Sequence, residues 1–215
     1  MKLEIKMRPL EKLFIRYKAT DKNLKFFLFG VLFLGANSGI LNSSFNNYLY
    51  EIFSLSSQQR GFLELPREFP GFLVFFITSI FYFISMRNWA VLVALISGIG
   101  ILGIGVFSPT IAVMTFFVTV WSFGDHVFMT VESSVGLELS IASKEGKRLG
   151  QISGARNLAA ILGSFIVYLG FSRLKFTYEV LYVIAFIFAL LAAWSFSRMK
   201  LKPLPPKQKL RFLYR

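Results

Sequence analysis

The chain alternates between long apolar runs and short polar breaks, and the runs have bilayer length rather than strand length. A spanning helix needs about 20 mostly apolar residues. Six such windows can be drawn: about Phe26 to Tyr50, Gly61 to Ser85, Trp89 to Phe107, Thr110 to Leu139, Leu149 to Phe171 and Phe176 to Phe196. The connections are short, so successive helices are predicted to be antiparallel neighbours. The first window exceeds the roughly 7–15-residue apolar region of a secretion signal, so it is taken as a span. The pattern predicts a basic amino-terminal segment over residues 1–25, a six-helix bundle over 26–197 and a basic tail over 198–215.

Composition agrees with that pattern. Apolar residues make up 55% of the 215 positions and charged residues only 16%, with 26 phenylalanines and a mean hydropathy of +0.60. Disordered and collagen-like classes are excluded, and an integral membrane protein in contact with the lipid bilayer is expected. A net charge of +13 would suggest nucleic-acid binding in a soluble protein. Its distribution points instead to topology, and no nucleic-acid partner is expected. Eight basic residues precede the first run and seven follow the last, Arg198, Lys200, Lys202, Lys207, Lys209, Arg211 and Arg215. With Arg87, Lys144, Lys147 and Arg148 in the loops on the same side, one face of the membrane carries nineteen basic residues, against Arg60, Arg173 and Lys175 on the other. The positive-inside rule then predicts a multi-pass protein of the cell (cytoplasmic) membrane with both termini cytoplasmic. The tail, with Pro203, Pro205 and Pro206 among basic residues, has the composition of an extended linker. The chain has no cysteine and a single histidine, His126, so no metal, redox or other cofactor is expected.

Candidate chemistry lies where polar groups interrupt the spans, because an ionised group at membrane depth costs roughly 2.5–3.5 kcal/mol on insertion scales. The second window is apolar only from Phe69 to Ile84 and must recruit the ELPRE segment before it, which draws Arg67 and Glu68 to the outer boundary. Glu64, Arg67 and Glu68 share a helical face, and Pro66 and Pro70 predict a kink. This group is either an interfacial ion-pair cluster or an outer gate. In the fourth window Trp121, Asp125, Phe128 and Glu132 form one stripe, with His126 and Met129 beside it. Asp125 lies inside the bilayer in any register and must pair or take up a proton, which makes it a candidate for proton coupling or solute binding. Arg156 enters the fifth span from one end while Glu132 approaches the same depth from the other, so an ion pair between them is geometrically open. Asn42 and Asn46 in the first window offer amides to a polar solute. The Gly35/Gly39/Ser43 and Ala155/Ala159/Gly163 spacings predict close helix packing instead.

The polar load falls on the first and fourth spans, the first members of two three-helix groups, as in transporters built from repeats. With both ends on one side and short loops, the chain resembles the amino-terminal half of a transporter of the major facilitator superfamily over nearly its whole length. The segment RGFLELPREFPGFLVFF is similar to a prokaryotic branch of that superfamily. Of the loop motif between helices two and three, FISMRNWA keeps Arg87. Gly124 of helix four is followed by Asp125 where an Arg-containing motif is usual, and the fifth-helix segment from Gly150 to Ala155 lacks the antiporter proline.

The resemblance implies an all-α membrane fold with six transmembrane helices in two three-helix repeats, a major-facilitator-like half bundle. It also implies that Asn42, Asn46, Trp121 and Asp125, with His126 beside them, face a solute path. The expected function is secondary transport of a small-molecule solute, with a missing second six-helix half, or a second copy, supplying the opposite wall. Two alternatives remain. One is a structural or accessory membrane protein. The other is a rhomboid-type intramembrane protease using Ser153 and His126, although the histidine precedes the serine, the reverse of that family's order.

Overall fold

The computed structural model describes residues 21–77 and 84–201. Every regular element among them is helical: α1 (Lys22–Phe53), α2 (Ser57–Phe62), α3 (Glu64–Ile77), α4 (Met86–Val106), α5 (Ile111–Glu138), α6 (Glu145–Leu169), which runs on as a π-helical turn (Gly170–Leu174), and α7 (Tyr178–Ser197). Five of them are long and apolar enough to cross a membrane: α1, α4, α5, α6 with its π turn, and α7.

The predicted second span differs from expectation. It is divided at Leu63 into a short polar helix, α2, and the 14-residue α3. Its continuation over residues 78–83 lies outside the described residues, as do residues 1–20 and the tail from 202 onward. Local chemistry sets the helix starts. Asp21 accepts from the amides of Asn23 (2.8 Å) and Leu24 (3.2 Å), Ser56 and Gln59 form a capping box, and Ser85 and Thr110 cap α4 and α5.

Helix α1 packs on α6 and α7, α4 packs on α5 and α7, and α3 packs on α5. Small residues allow the closest of these approaches. A side chain at Gly35 or Gly39 would run into the α6 backbone at Arg156 or Ala160, and one at Gly163 into the α1 carbonyl of Ala36. The two small-residue stripes therefore serve helix packing, which also fixes the register of α6 against α1. At one end of the bundle, Asn23 accepts from the Lys200 amide (2.8 Å) and donates to its carbonyl (3.2 Å). The beginning of α1 is thereby tied to the segment after α7 at the terminal end of the bundle.

The interior is stratified. An apolar cluster near the terminal end gathers Phe27, Val31, Trp89, Phe128 and Phe196. A second, toward the far end, gathers Tyr48, Ile104, Met114, Trp121 and Tyr182. Between them along α1, α4 and α5 lie Asn37, Ser38, Ser97, Ser122 and Asp125. Asn37 is fully buried, donating to the Ala185 carbonyl (2.9 Å) and accepting from Ser97 (3.3 Å), so it knits α1, α4 and α7 together. The bundle thus carries a polar layer at mid-height, with hydrogen-bonded groups where an all-apolar core would need none.

Candidate functional site

The polar layer opens onto an ion triad between α5 and α6. Asp125 and Glu132 are seven residues apart on α5, about 10.5 Å along the axis, so both side chains project from nearly the same face. The Arg156 fork fits between them. One terminal nitrogen lies 2.9 Å from Asp125 Oδ1 and the other 3.1 Å from Glu132 Oε2. Phe128 occupies the intervening turn, with the guanidinium 5.8 Å from its ring centroid, a position favourable for cation–π attraction. Ser38 of α1 donates to Asp125 Oδ1 at 3.3 Å. The side chains are 22% (Asp125), 19% (Arg156) and 10% (Glu132) exposed. The ion pair anticipated between Glu132 and Arg156 is present, and Asp125 shares the same arginine.

With all three groups ionised the triad carries one negative charge in excess. Glu132 Oε1 is buried without a hydrogen-bond partner. Beside it, between α5 and α6, is a cleft of about 310 Å³ lined by Met129, Glu132, Ser133, Leu149, Ile152 and Ser153. Away from the triad along α1, the four-residue spacing from Ser38 to Asn42 and Asn46 carries amides toward the far end, and both asparagines are exposed.

A second polar cluster lies on another face of α5. Arg67 pairs with Glu64 (3.0 Å) and approaches Glu68 (3.9 Å), and His126 Nε2 lies 3.3 Å from Glu68 Oε2. His126 Nδ1 faces the Ser122 carbonyl at 2.9 Å, while the Ser122 hydroxyl donates to the Arg67 carbonyl. Both ring nitrogens therefore meet polar partners. Pro70 explains a further contact. Lacking an N–H, it leaves the Pro66 carbonyl without its helical donor, and the Thr119 hydroxyl approaches that oxygen at 3.4 Å. Gly71 lets His126 lie against α3, since a Cβ there would come within 3.0 Å of the ring.

Several expectations change. Arg67 and Glu68, expected near the end of the bundle, lie beside Ser122 and His126 of α5. Arg67 is level with Ser122, eleven residues and about 16 Å along α5 from its first residue, because α2 and α3 descend beside the other helices. His126 and Asp125 do not share a site: consecutive helical residues diverge by about 100°, so His126 turns to α3 while Asp125 turns to α6 and α1. Trp121 is not at an open surface. It is 3% exposed, packed where Gly100 lets α4 approach, with Arg67 5.6 Å from its ring centroid.

Ser153 lines the α5–α6 cleft, whereas His126 is engaged by Ser122 and Glu68, so the two protease candidates are not brought together. Among the described residues no group of three or more His, Cys, Asp or Glu is arranged to hold a metal ion. Reasoning from the sequence missed the carbonyl contacts made by Thr119 and Ser122. The proline four residues after Pro66 was the available signal for the first. No protein-family model matches the chain, and no curated protein matches it.

Proposed function

We propose that the chain is one six-helix half of a secondary transporter of the major facilitator type, and that the Asp125–Arg156–Glu132 triad is the charged centre of its solute path. The observation that carries this reading is Arg156 shared between two acids of α5 within the bilayer-crossing length of both helices. Ionised groups at such depth are expensive and are kept where they meet one another or water. The flanking amides of Asn42 and Asn46 extend the polar line along α1, where lipid would offer them no partner.

The packing pattern supports two three-helix repeats. Exchanging α1, α3 and α4 for α5, α6 and α7 turns the α1–α6 contact into α5–α3, turns α1–α7 into α5–α4, and leaves α4–α7 unchanged. Transporters built from such repeats place their site near mid-membrane, the height of the polar layer. Among the described residues the terminal end carries Lys22, Lys25, Arg87, Lys144, Lys147, Arg148, Arg198 and Lys200, the far end only Arg60, Arg173 and Lys175. The terminal end is therefore assigned to the cytoplasm. A second six-helix unit, in a further chain or a second copy, would close the path around the solute.

The test is solute binding and flux with the complete protein in lipid vesicles. A bound solute raises the melting temperature through RT ln(1 + [L]/Kd). The expected result is a stabilising solute whose effect and flux are both lost in Asp125→Asn. Flux indifferent to Asp125 would remove the triad from the path, and the absence of flux or stabilisation across a broad solute library would favour an accessory role.

A further inference from the structure

We propose that Glu132, rather than Asp125, takes up and releases a proton, and that the proton reaches it from the terminal end through the cleft between α5 and α6. The two acids are not equivalent. Asp125 Oδ1 accepts both from Arg156 and from Ser38. Glu132 is deeper: the residue is 7% exposed, Oε2 meets Arg156, and Oε1 is buried with no partner. A buried carboxylate oxygen without a donor forfeits its hydration for nothing. A proton on Oε1 removes the excess charge and leaves Arg156 paired with Asp125. The balance is simple: hydronium in the cleft transfers a proton to Oε1 and becomes water, and release is the reverse.

The cleft supplies the route. Glu132 lies six residues, about 9 Å, from the terminal-end limit of α5. The cavity beside it is lined from the first turns of α6 by Leu149, Ile152 and Ser153 and from α5 by Met129 and Ser133.

The charged groups around it are few. Arg156 faces it from α6 and Asp125 lies two turns away on its own helix. Elsewhere on α6, Arg148 bonds to Gln151, Glu145 accepts from the Ser143 amide and Lys147 lies in the first turn, while Glu138 closes α5. The charged residue of α4, Arg87, bonds to its neighbour Asn88. Glu64, Arg67 and Glu68 of α3 pair with one another and with His126, and the charged residues of α1 among those described, Lys22, Lys25 and Glu51, lie near its ends. The triad is therefore a switch between a net charge of minus one and zero. Its use as the coupling step rests on the transport reading above, whereas proton exchange itself does not.

The experiment is a pH titration of the full chain in lipid nanodiscs without solute, following the protonated-carboxyl stretch by infrared difference spectroscopy. Because the acids share one arginine, removing either charge perturbs both, so conservative exchanges make the assignment. Glu132→Asp, folded by its melting curve, is expected to shift the frequency of the titrating band, and Asp125→Glu to leave that frequency unchanged. A band that moves in Asp125→Glu and not in Glu132→Asp overturns the proposal, as does the lack of any titrating carboxyl band in the wild type.

The chain has no cysteine, so access can be probed by Ser153→Cys in oriented vesicles. An impermeant thiol reagent applied at the terminal end is expected to label it and slow proton exchange several-fold. Labelling from the far side alone overturns the route. If Glu132 titrates as stated and no solute is ever moved, the proton site stands and the transport reading fails.

Discussion

Two ionised clusters flank α5, one facing α6 and one facing α3, and they are built from the same residue types with different degrees of burial in the bundle. In the triad the side chains are 10–22% exposed and Arg156 is shared by two acids from a single helix. In the other cluster Glu64 and Glu68 are more than half exposed, Arg67 is 29% exposed, and its two acids come from its own helix and first turns. The triad therefore links two helices through largely buried groups. The α3 cluster is mostly local, and its cross-helix ties are single contacts from Ser122, Thr119 and His126. Similar charges at similar height are thus expected to differ several-fold in energetic weight.

The sharpest test is Arg156→Gln, which strands two acids. It should destabilise the chain in detergent by about 3–5 kcal/mol in reversible unfolding. Adding Asp125→Asn and Glu132→Gln to it should recover most of that loss, because a neutral cluster strands nothing. If the triple variant is no more stable than Arg156→Gln, the pairing is not what holds α6 against α5.

Next comes Gly39→Leu, at the close α1–α6 contact that sets the height of Arg156. A side chain forced into the α6 backbone should cost about 1–3 kcal/mol and weaken cross-linking between cysteines placed at facing positions of α5 and α6. Thr119→Val removes the hydroxyl near the Pro66 carbonyl and should cost about 1 kcal/mol. The smallest effect is expected for Arg67→Gln, within about 1 kcal/mol, because its ion pairs lie within α3 and tie no second helix. A loss there equal to that of Arg156→Gln would erase the distinction between the clusters.

The spans were legible because apolar length is a property of the chain itself: windows placed at Trp89 to Phe107 and Thr110 to Leu139 fall within a few residues of α4 and α5. The Trp121, Asp125, Phe128 and Glu132 stripe was also legible, since helical periodicity follows from spacing. Its use was not. Two arginines from different helices divide it, Arg67 over Trp121 and Arg156 over the other three. The break at Leu63 and the descent of Glu64–Glu68 were missed because hydropathy assigns depth by distance from apolar runs, while α5 supplies side chains that satisfy the polar backbone of α3 at depth.

By itself the sequence determined that the chain is helical, that it carries apolar windows of bilayer length, five of the six matched by long apolar helices among the described residues, and that a handful of ionised groups would be caught among them. Those outcomes follow from hydrophobic length and the 3.6-residue period, which need no knowledge of neighbours. The tertiary structure decided which charges meet. Partner choice depends on the rotation and height of each helix, and these are set here by small residues letting α6 approach α1 until Arg156 falls between Asp125 and Glu132.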